Sequence, residues 1–387
     1  MVRSIAFSRL VWCLALASSV ASEAAILIQP DGFHVFPGDS IQEAMELAAR
    51  NPTNRAVKVH AGTYRPKAKR QALVWFNRKH DGIHLEAIGS VILTAENAEL
   101  TNPRAPGYPA VVNHVVYFGD GVSSNTILSG FRITGANHFV TEKRTEEMEP
   151  DTAIAKNLFF YTDGGAIKVF GRSYPTIRRV TVVGNYASPC AGGISVQHEG
   201  YDQSAVTLED SVFMRNRAQV TGAAVDLLRG SAAVIRNCLF VGNQSNTGED
   251  VVAKKSGEAP FDNSGVLTIF DASRALVQNC TFTGNRNAVD DLGGGSVYDR
   301  CVFSGNTLAG AWPQTERYEL ELPRGGRLRR CMVAGRLRPA GAPVRIEQSF
   351  TEVAPLQFAD DFRLIGAAYE GLGYQPVGDL DLPPSGP

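Results

Sequence analysis

From residue 128 to residue 336, apolar and polar residues alternate in short bursts, most of them closed by Gly-Asn or Arg-Asn. Five bursts align with one another: Ile177–Asn185, Leu208–Asn216, Ile235–Asn243, Val277–Asn285 and Tyr298–Asn306. A sixth, Leu328–Arg336, keeps Cys331 and loses the final Asn, and an earlier one, Leu128–Ala136, keeps Phe131, Ile133 and Gly135. Alternation with a period of two, in segments rich in Val, Ile, Phe and Thr, predicts short β-strands. A second pattern precedes several of these bursts: Gly164–Val169, Gly192–Val196, Gly222–Leu227 and Gly265–Ile269. Between the bursts there is no run of about 10–15 residues with helical spacing, which disfavours strand–helix–strand units.

A motif that returns every few dozen residues signals a solenoid of stacked coils. Each unit reads as three short strands, and like strands of successive coils would pair in parallel about 4.8 Å apart. Equivalent residues then fall into files. Val182, Phe213, Phe240, Phe282 and Phe303 would form one inward file, and Ser211, Cys238, Cys280, Cys301 and Cys331 another. In-register thiols point the same way and suit a disulfide poorly, so free buried cysteines are expected. Asn185, Asn216, Asn243, Asn285 and Asn306 would stack as an amide ladder at a corner, with Asn237, Asn279 and Asp210 at the other bend.

At these residues the chain resembles the right-handed parallel β-helix proteins of the pectin-lyase-like superfamily, over about Val57 to Leu364. Its Gly-Gly-x-Ile and Cys-x-Phe-x-Gly-Asn signatures are similar to those of bacterial secreted β-helix repeats and of polymorphic outer-membrane adhesins. The expected class is all-β, a single-stranded right-handed parallel β-helix with a short N-terminal capping helix. Ser40 with Glu43 makes a capping box, and Ile41, Ala44, Met45 and Ala48 follow helical spacing, which predicts a helix over 40–50 that covers the first coil. The expected divisions are a signal peptide at 1–24, an N-terminal cap at 25–56, the β-helix at 57–364 and a Pro-rich tail at 365–387. Asp361–Leu364 resembles the last coil of secreted β-helix proteins, and loose order is expected from Pro376.

The N-terminus refines the setting. Arg3 and Arg9 precede an apolar run from Leu10 to Ala17, followed by small residues through Ala24, the pattern of a secretory signal. That run is too short for a membrane span. A secreted location, extracellular or periplasmic, is therefore expected, with no transmembrane segment in the mature chain. Lys+Arg 38 against Asp+Glu 39 leaves no excess of positive charge, so no nucleic-acid partner is expected. The seven His show no zinc-binding spacing and no Cys-x-x-Cys is present, so no metal ligand set is assigned. A monomer is expected.

Candidate chemistry comes from the strand face and the insertions. Extra residues fall at about 137–163, 244–264 and 307–323, between the Asn turn and the next Gly-Gly strand, and stacking puts them on one side. With Ile167 and Val169 inward, Lys168 points outward, and the same argument exposes Ser195, Asp226 and Thr268 in one row. Lys168 and Asp226 should lie two rungs apart, about 10 Å. The following loop adds Arg172, His198, Glu199, Tyr201, Asp202 and Arg229. The resemblance implies that this strand face and its loops carry a polysaccharide site.

Two reactions suit such a row. Uronate β-elimination needs a base, with Lys168 or His198 as candidates, and a cation to neutralise the carboxylate, supplied by Arg172 or Arg229. Calcium would replace the arginine if Asp202, Glu199 and Asp226 converge. Glycoside hydrolysis needs two carboxyl groups, with Asp226 and Asp202, or the adjacent Asp290 and Asp291, as candidates. The catalytic set read from the sequence is Lys168, His198 and Asp226. Arg172, Ser195, Tyr201, Asp202, Arg229 and Thr268 bind the extracellular polysaccharide in this reading, and a lyase is slightly favoured over a hydrolase. The alternative is a non-catalytic surface or matrix module, for which an exposed apolar strip at Val212, Met214, Leu239 and Val302 would be the docking face.

Overall fold

The structure is a computed structural model that describes residues 26–138, 161–198, 204–248, 264–308, 317–339, 341–351 and 353–378. The expected signal peptide lies outside these residues, as do most of the first two insertions and part of the third.

The alternating bursts form strands that pair in parallel, coil upon coil. Leu27–Gln29, antiparallel to Gly32–Val35, is the exception among the named strands. In a typical coil the chain runs through Ile194–Gln197, Val206–Glu209 and Val212–Met214, then returns one rung on as Val225–Leu227. One face of the tube is thus a nine-stranded sheet, and the other two faces join into a 20-stranded sheet.

The inward files follow from this register. Val182 pairs with Phe213, and Phe213, Phe240, Phe282 and Phe303 follow in step, their rings stacked at 4.9, 4.3 and 5.0 Å. All four rings are buried, and removing one would cost about 3–5 kcal/mol through lost transfer energy and the cavity left behind. Cys238, Cys280, Cys301 and Cys331 are buried free thiols whose sulfurs face backbone carbonyls, as at Cys301 Sγ, 3.3 Å from Val277 O.

Two corners make the coil close. At one, Asp210, Asn237 and Asn279 adopt φ near +50°, as expected, and Arg179, Arg300 and Arg330 share that conformation in equivalent coils. At the other, Gly184, Gly242, Gly284 and Gly305 take φ between +62° and +74° just before the asparagine ladder. Arg215 holds the same place in its coil at φ +52°.

The chain itself covers the first coil and one flank. The helix Ile41–Ala49 starts at Ser40, whose Oγ accepts from Glu43 N at 3.2 Å, and it buries Ile41, Ala44, Met45 and Ala48 on the first coils. At the other end the last stacked strand is Phe350–Thr351. Residues of 353–378 then return along the flank, so Asp361–Leu364 is not a further coil. Phe362 and Tyr374 pack on Val183, Val212, Met214 and Leu239. Asn237 grips this segment by two hydrogen bonds, donating to Gln375 O at 2.8 Å and accepting from Gln375 N at 2.7 Å. Val302 is buried as well. The apolar strip expected as a docking face is therefore an internal contact, because the C-terminal segment covers it. Among the described residues no helix is long and apolar enough to cross a membrane.

Candidate functional site

The outward positions of the nine-stranded sheet form one file: Trp75, Tyr117, Lys168, Ser195, Asp226, Thr268, Asp290, Glu321 and Arg338. Lys168 and Asp226 stand two rungs apart in it, as the repeat predicts. Their exposure does not follow the prediction: Lys168, Ser195, Asp226 and Thr268 are all at 0%. Period two decides which way a side chain points, but what lies above that face decides whether water reaches it. Lys168 Nζ donates to Ser195 Oγ at 3.0 Å. Thr268 Oγ1 donates to Gly265 O and accepts from Gly222 N, both at 3.1 Å.

A second, shorter file runs beside the first. Because Ile167 pairs with Ile194 and Ile194 with Val225, the residues four places earlier, Asp163, Cys190 and Thr221, occupy equivalent positions. Asp163, Cys190 and Asp226 each bring a side-chain ligand atom within 4.8 Å of the others. Asp163 Oδ1 accepts from Cys190 N at 3.1 Å, and Asp226 Oδ2 accepts from Thr221 Oγ1 at 3.3 Å. Asp163 Oδ2 and Asp226 Oδ1 are buried without a hydrogen-bond partner. The sequence reading missed Asp163 and Cys190, since it matched the Gly-Gly pairs to each other. Counting back from the paired isoleucines reveals the file.

Burial sets the electrostatics. It pushes Asp163 up to about 7 and Asp226 well above the ordinary carboxylate range. The Asp163 charge raises Asp226 further, while the Lys168 ammonium draws both back down. Burial, then the two carboxylates, push the Cys190 thiol up, so it stays protonated. Two rungs from Asp226, burial and the charge of Glu321 raise Asp290, both of whose carboxyl oxygens lack a partner. Arg338 lies 3.3 Å from Glu321 and over the Tyr318 ring at 5.4 Å.

The other sequence candidates separate from this group. His198 Nε2 lies 2.9 Å from Ser173 O and Nδ1 faces Ala232 N at 3.4 Å, so the ring fastens a turn and neither nitrogen is placed as a base. Arg172 makes a bidentate pair with buried Asp120, at 3.0 and 2.7 Å, and Arg78 adds a third bond. Although burial opposes it, these bonds hold Asp120 below its ordinary range. Arg229 is 80% exposed and 3.9 Å from Asp271. Asp290 and Asp291 cannot act as a pair, since neighbours in a strand face opposite ways. Asp291 points inward and accepts from Tyr298 OH at 3.0 Å and Gly293 N at 3.0 Å. Tyr201, Asp202 and Glu199 lie outside the described residues.

Of the expected calcium set only Asp226 is described, since Asp202 and Glu199 lie outside the described residues. Asp226 has a thiol and one carboxylate beside it in place of several oxygens, and the Lys168 ammonium already supplies positive charge. Calcium takes six to eight oxygen ligands, so this donor set does not fit it.

Residues 81–266 match the family described as "Right handed beta helix region". Among curated proteins, none matches. Two solved structures are similar to this chain at low identity. One is the catalytic domain of a GH87 alpha-1,3-glucanase in complex with tetrasaccharides: 10% identity over 92% of this chain and 70% of that chain, TM-score 0.33. The other is a mutant of the PL6 family alginate lyase AlyGC: 12% identity over 90% of this chain and 57% of that chain, TM-score 0.26.

Proposed function

We propose, starting from a chain that is a right-handed parallel β-helix protein, that its buried charged file is the acid–base centre of an enzyme cleaving an extracellular polysaccharide. The observation that carries this reading is the set of orphaned carboxyl oxygens on Asp163, Asp226 and Asp290. Each unpaired buried carboxyl costs free energy, and such groups with displaced pKa values cluster where chemistry is done.

The geometry favours hydrolysis over elimination. Lys168 Nζ donates to Ser195 Oγ and faces the Asp163 and Asp226 carboxyls, so its nitrogen is committed to this group rather than open to a substrate proton. His198 and Arg172 are spent elsewhere. Asp163 and Asp226 instead offer a proton and a carboxylate within 4.8 Å, close to the roughly 5–5.5 Å carboxyl separation of retaining glycosidases. Near neutral pH the pair keeps one proton to give to a departing glycosidic oxygen. The second carboxyl, ionised and steadied by Lys168, faces the anomeric carbon. Asp290, two rungs on at about 10 Å, lies along the path of the same chain.

The test is incubation with a panel of neutral and uronate-rich glycans, reading reducing ends and ultraviolet absorbance together. New reducing ends without an unsaturated product, retained anomeric configuration and loss of activity in Asp226→Asn are expected. An unsaturated product, or full activity in both Asp163→Asn and Asp226→Asn, would overturn the assignment.

A further inference from the structure

A second feature lies outside this centre, where the cap meets the first coils. A cavity of about 420 Å³ opens there, and its wall includes Trp75, the first residue of the charged file. Three cations line it: Arg65, Lys67 and Arg70. They come from one stretch, Arg65-Pro-Lys-Ala-Lys-Arg70, in a chain whose charges otherwise balance.

Arg65 and Lys67 are poised rather than spent. Arg65 donates only to a backbone carbonyl, Glu96 O, at 3.3 Å. Lys67 likewise donates to Gly38 O at 2.9 Å. Neither has a carboxylate partner among the described residues. Arg70 stands over the Trp75 ring at 5.3 Å. The carboxylate in the lining, Asp39, is turned to the backbone, accepting from Phe36 N at 2.8 Å.

The wall is also fixed before any ligand arrives. Gln42, on the capping helix, accepts from Trp75 N at 3.0 Å and donates to Trp75 O at 3.1 Å, which clamps the strand to the helix. Preorganised walls reduce the ordering cost of binding. A rigid cavity with an aromatic wall, two uncommitted cations and room for one or two sugar rings suits an anionic ring, not a bare phosphate.

We propose that this cavity is a subsite for an acidic sugar residue, whose carboxylate or sulfate is held by Arg65 and Lys67. The inference rests on the polysaccharide reading and names its substrate class: a polyanionic glycan that enters the file at its Trp75 end. Trp75 stands four rungs from Asp226, about 19 Å, so the subsite would hold a sugar several residues from the scissile bond.

The experiment is equilibrium binding of three oligosaccharides of equal length, one carboxylated, one sulfated and one neutral. The proteins are the full chain, Asp226→Asn, and the double variant Arg65→Ala with Lys67→Ala. Both substituted side chains of the double variant are exposed, so its melting temperature should match that of the parent. At least one acidic oligosaccharide should bind the parent ten-fold or more tighter than the neutral one, with salt weakening it. The double variant should lose most of that preference, while Asp226→Asn keeps it. The carboxylated and sulfated arms identify the acidic group. Equal binding of acidic and neutral ligands, or an unchanged preference in the double variant, would overturn the subsite. If Asp226-dependent cleavage persists in that case, the reaction stands without it. Binding that depends on Arg65 and Lys67 with no cleavage of any glycan would leave the subsite and overturn the reaction.

Discussion

Two files of polar residues run the length of this tube, and they are built by opposite rules. At the asparagine corner each amide is answered by the next. Asn216 Nδ2 donates to Asn243 Oδ1 at 3.0 Å, Asn243 Nδ2 donates to Asn285 Oδ1 at 3.0 Å, and Asn285 Nδ2 donates to Asn306 Oδ1 at 2.7 Å. The backbone N–H groups of the same residues join in, and Glu319 ends the series by accepting from Asn306 N at 3.2 Å. On the nine-stranded sheet the stacked side chains change type from rung to rung, and Asp226 and Asp290, with Asp163 beside them, keep unpartnered oxygens. Identical neighbours satisfy one another in a parallel stack; dissimilar ones do so only by accident. The ladder therefore reads as structure and the charged file as a place where stability has been given up for reactivity.

The sharpest way to break this comparison is to neutralise the file. Asp226→Asn should lower turnover about 10³-fold, equivalent to about 4 kcal/mol of transition-state stabilisation, with the melting temperature unchanged or higher. Steady-state rates and thermal melts on one preparation check both halves. A large fall in stability would mean that Asp226 belongs with the ladder.

The converse change comes next in size. Asn243→Ala orphans the donors of Asn216 and should destabilise the fold by about 3 kcal/mol, measured by denaturant unfolding. Asp290→Asn, which breaks no hydrogen bond, should fall within about 1 kcal/mol of the parent or above it.

Acidity offers a third lever, because both files hold carboxyls raised by burial. Asp163 and Glu319 are each pushed up to about 7, from unfolded values near 4. The folded state thus binds these protons more tightly than the unfolded chain. Their stabilisation is complete below about pH 4 and is lost as pH rises through 7. Melting temperatures should fall from pH 5 to pH 8, and Glu319→Gln should flatten part of that fall. Activity should rise as pH approaches about 7, as Asp163 ionises while Asp226 keeps the proton to be donated, and Glu319→Gln should leave that rise in place. The smallest effect concerns the thiols. Cys238, Cys280, Cys301 and Cys331 are buried among the stacked coils and should resist a thiol reagent in native buffer, then react on unfolding. Rapid native labelling of Cys190 would show that water reaches the Asp163–Asp226 pair.

Much of the tube was legible in the residues. The phenylalanine file, the cysteine file, the Asn ladder and the bend at Asn237 and Asn279 each come from a repeat read in register, because parallel in-step stacking turns sequence periodicity directly into spatial neighbours. The same reasoning gave the outward row from Lys168 to Thr268. It did not give the role of His198 or Arg172, whose partners Ser173 and Asp120 lie outside any repeat. It also paired Asp290 with Asp291, where a strand sends them to opposite sides.

By itself, the sequence determined the stack, its files and the direction in which each strand residue points, since these depend only on a period of two and on repetition. The tertiary structure alone decided which outward residues are closed off from water, that Asp163 and Cys190 meet Asp226 across coils, and that the chain's own C-terminal segment covers the apolar flank. Those outcomes depend on segments distant in sequence coming to rest on a face, and no local pattern encodes where such a segment lands.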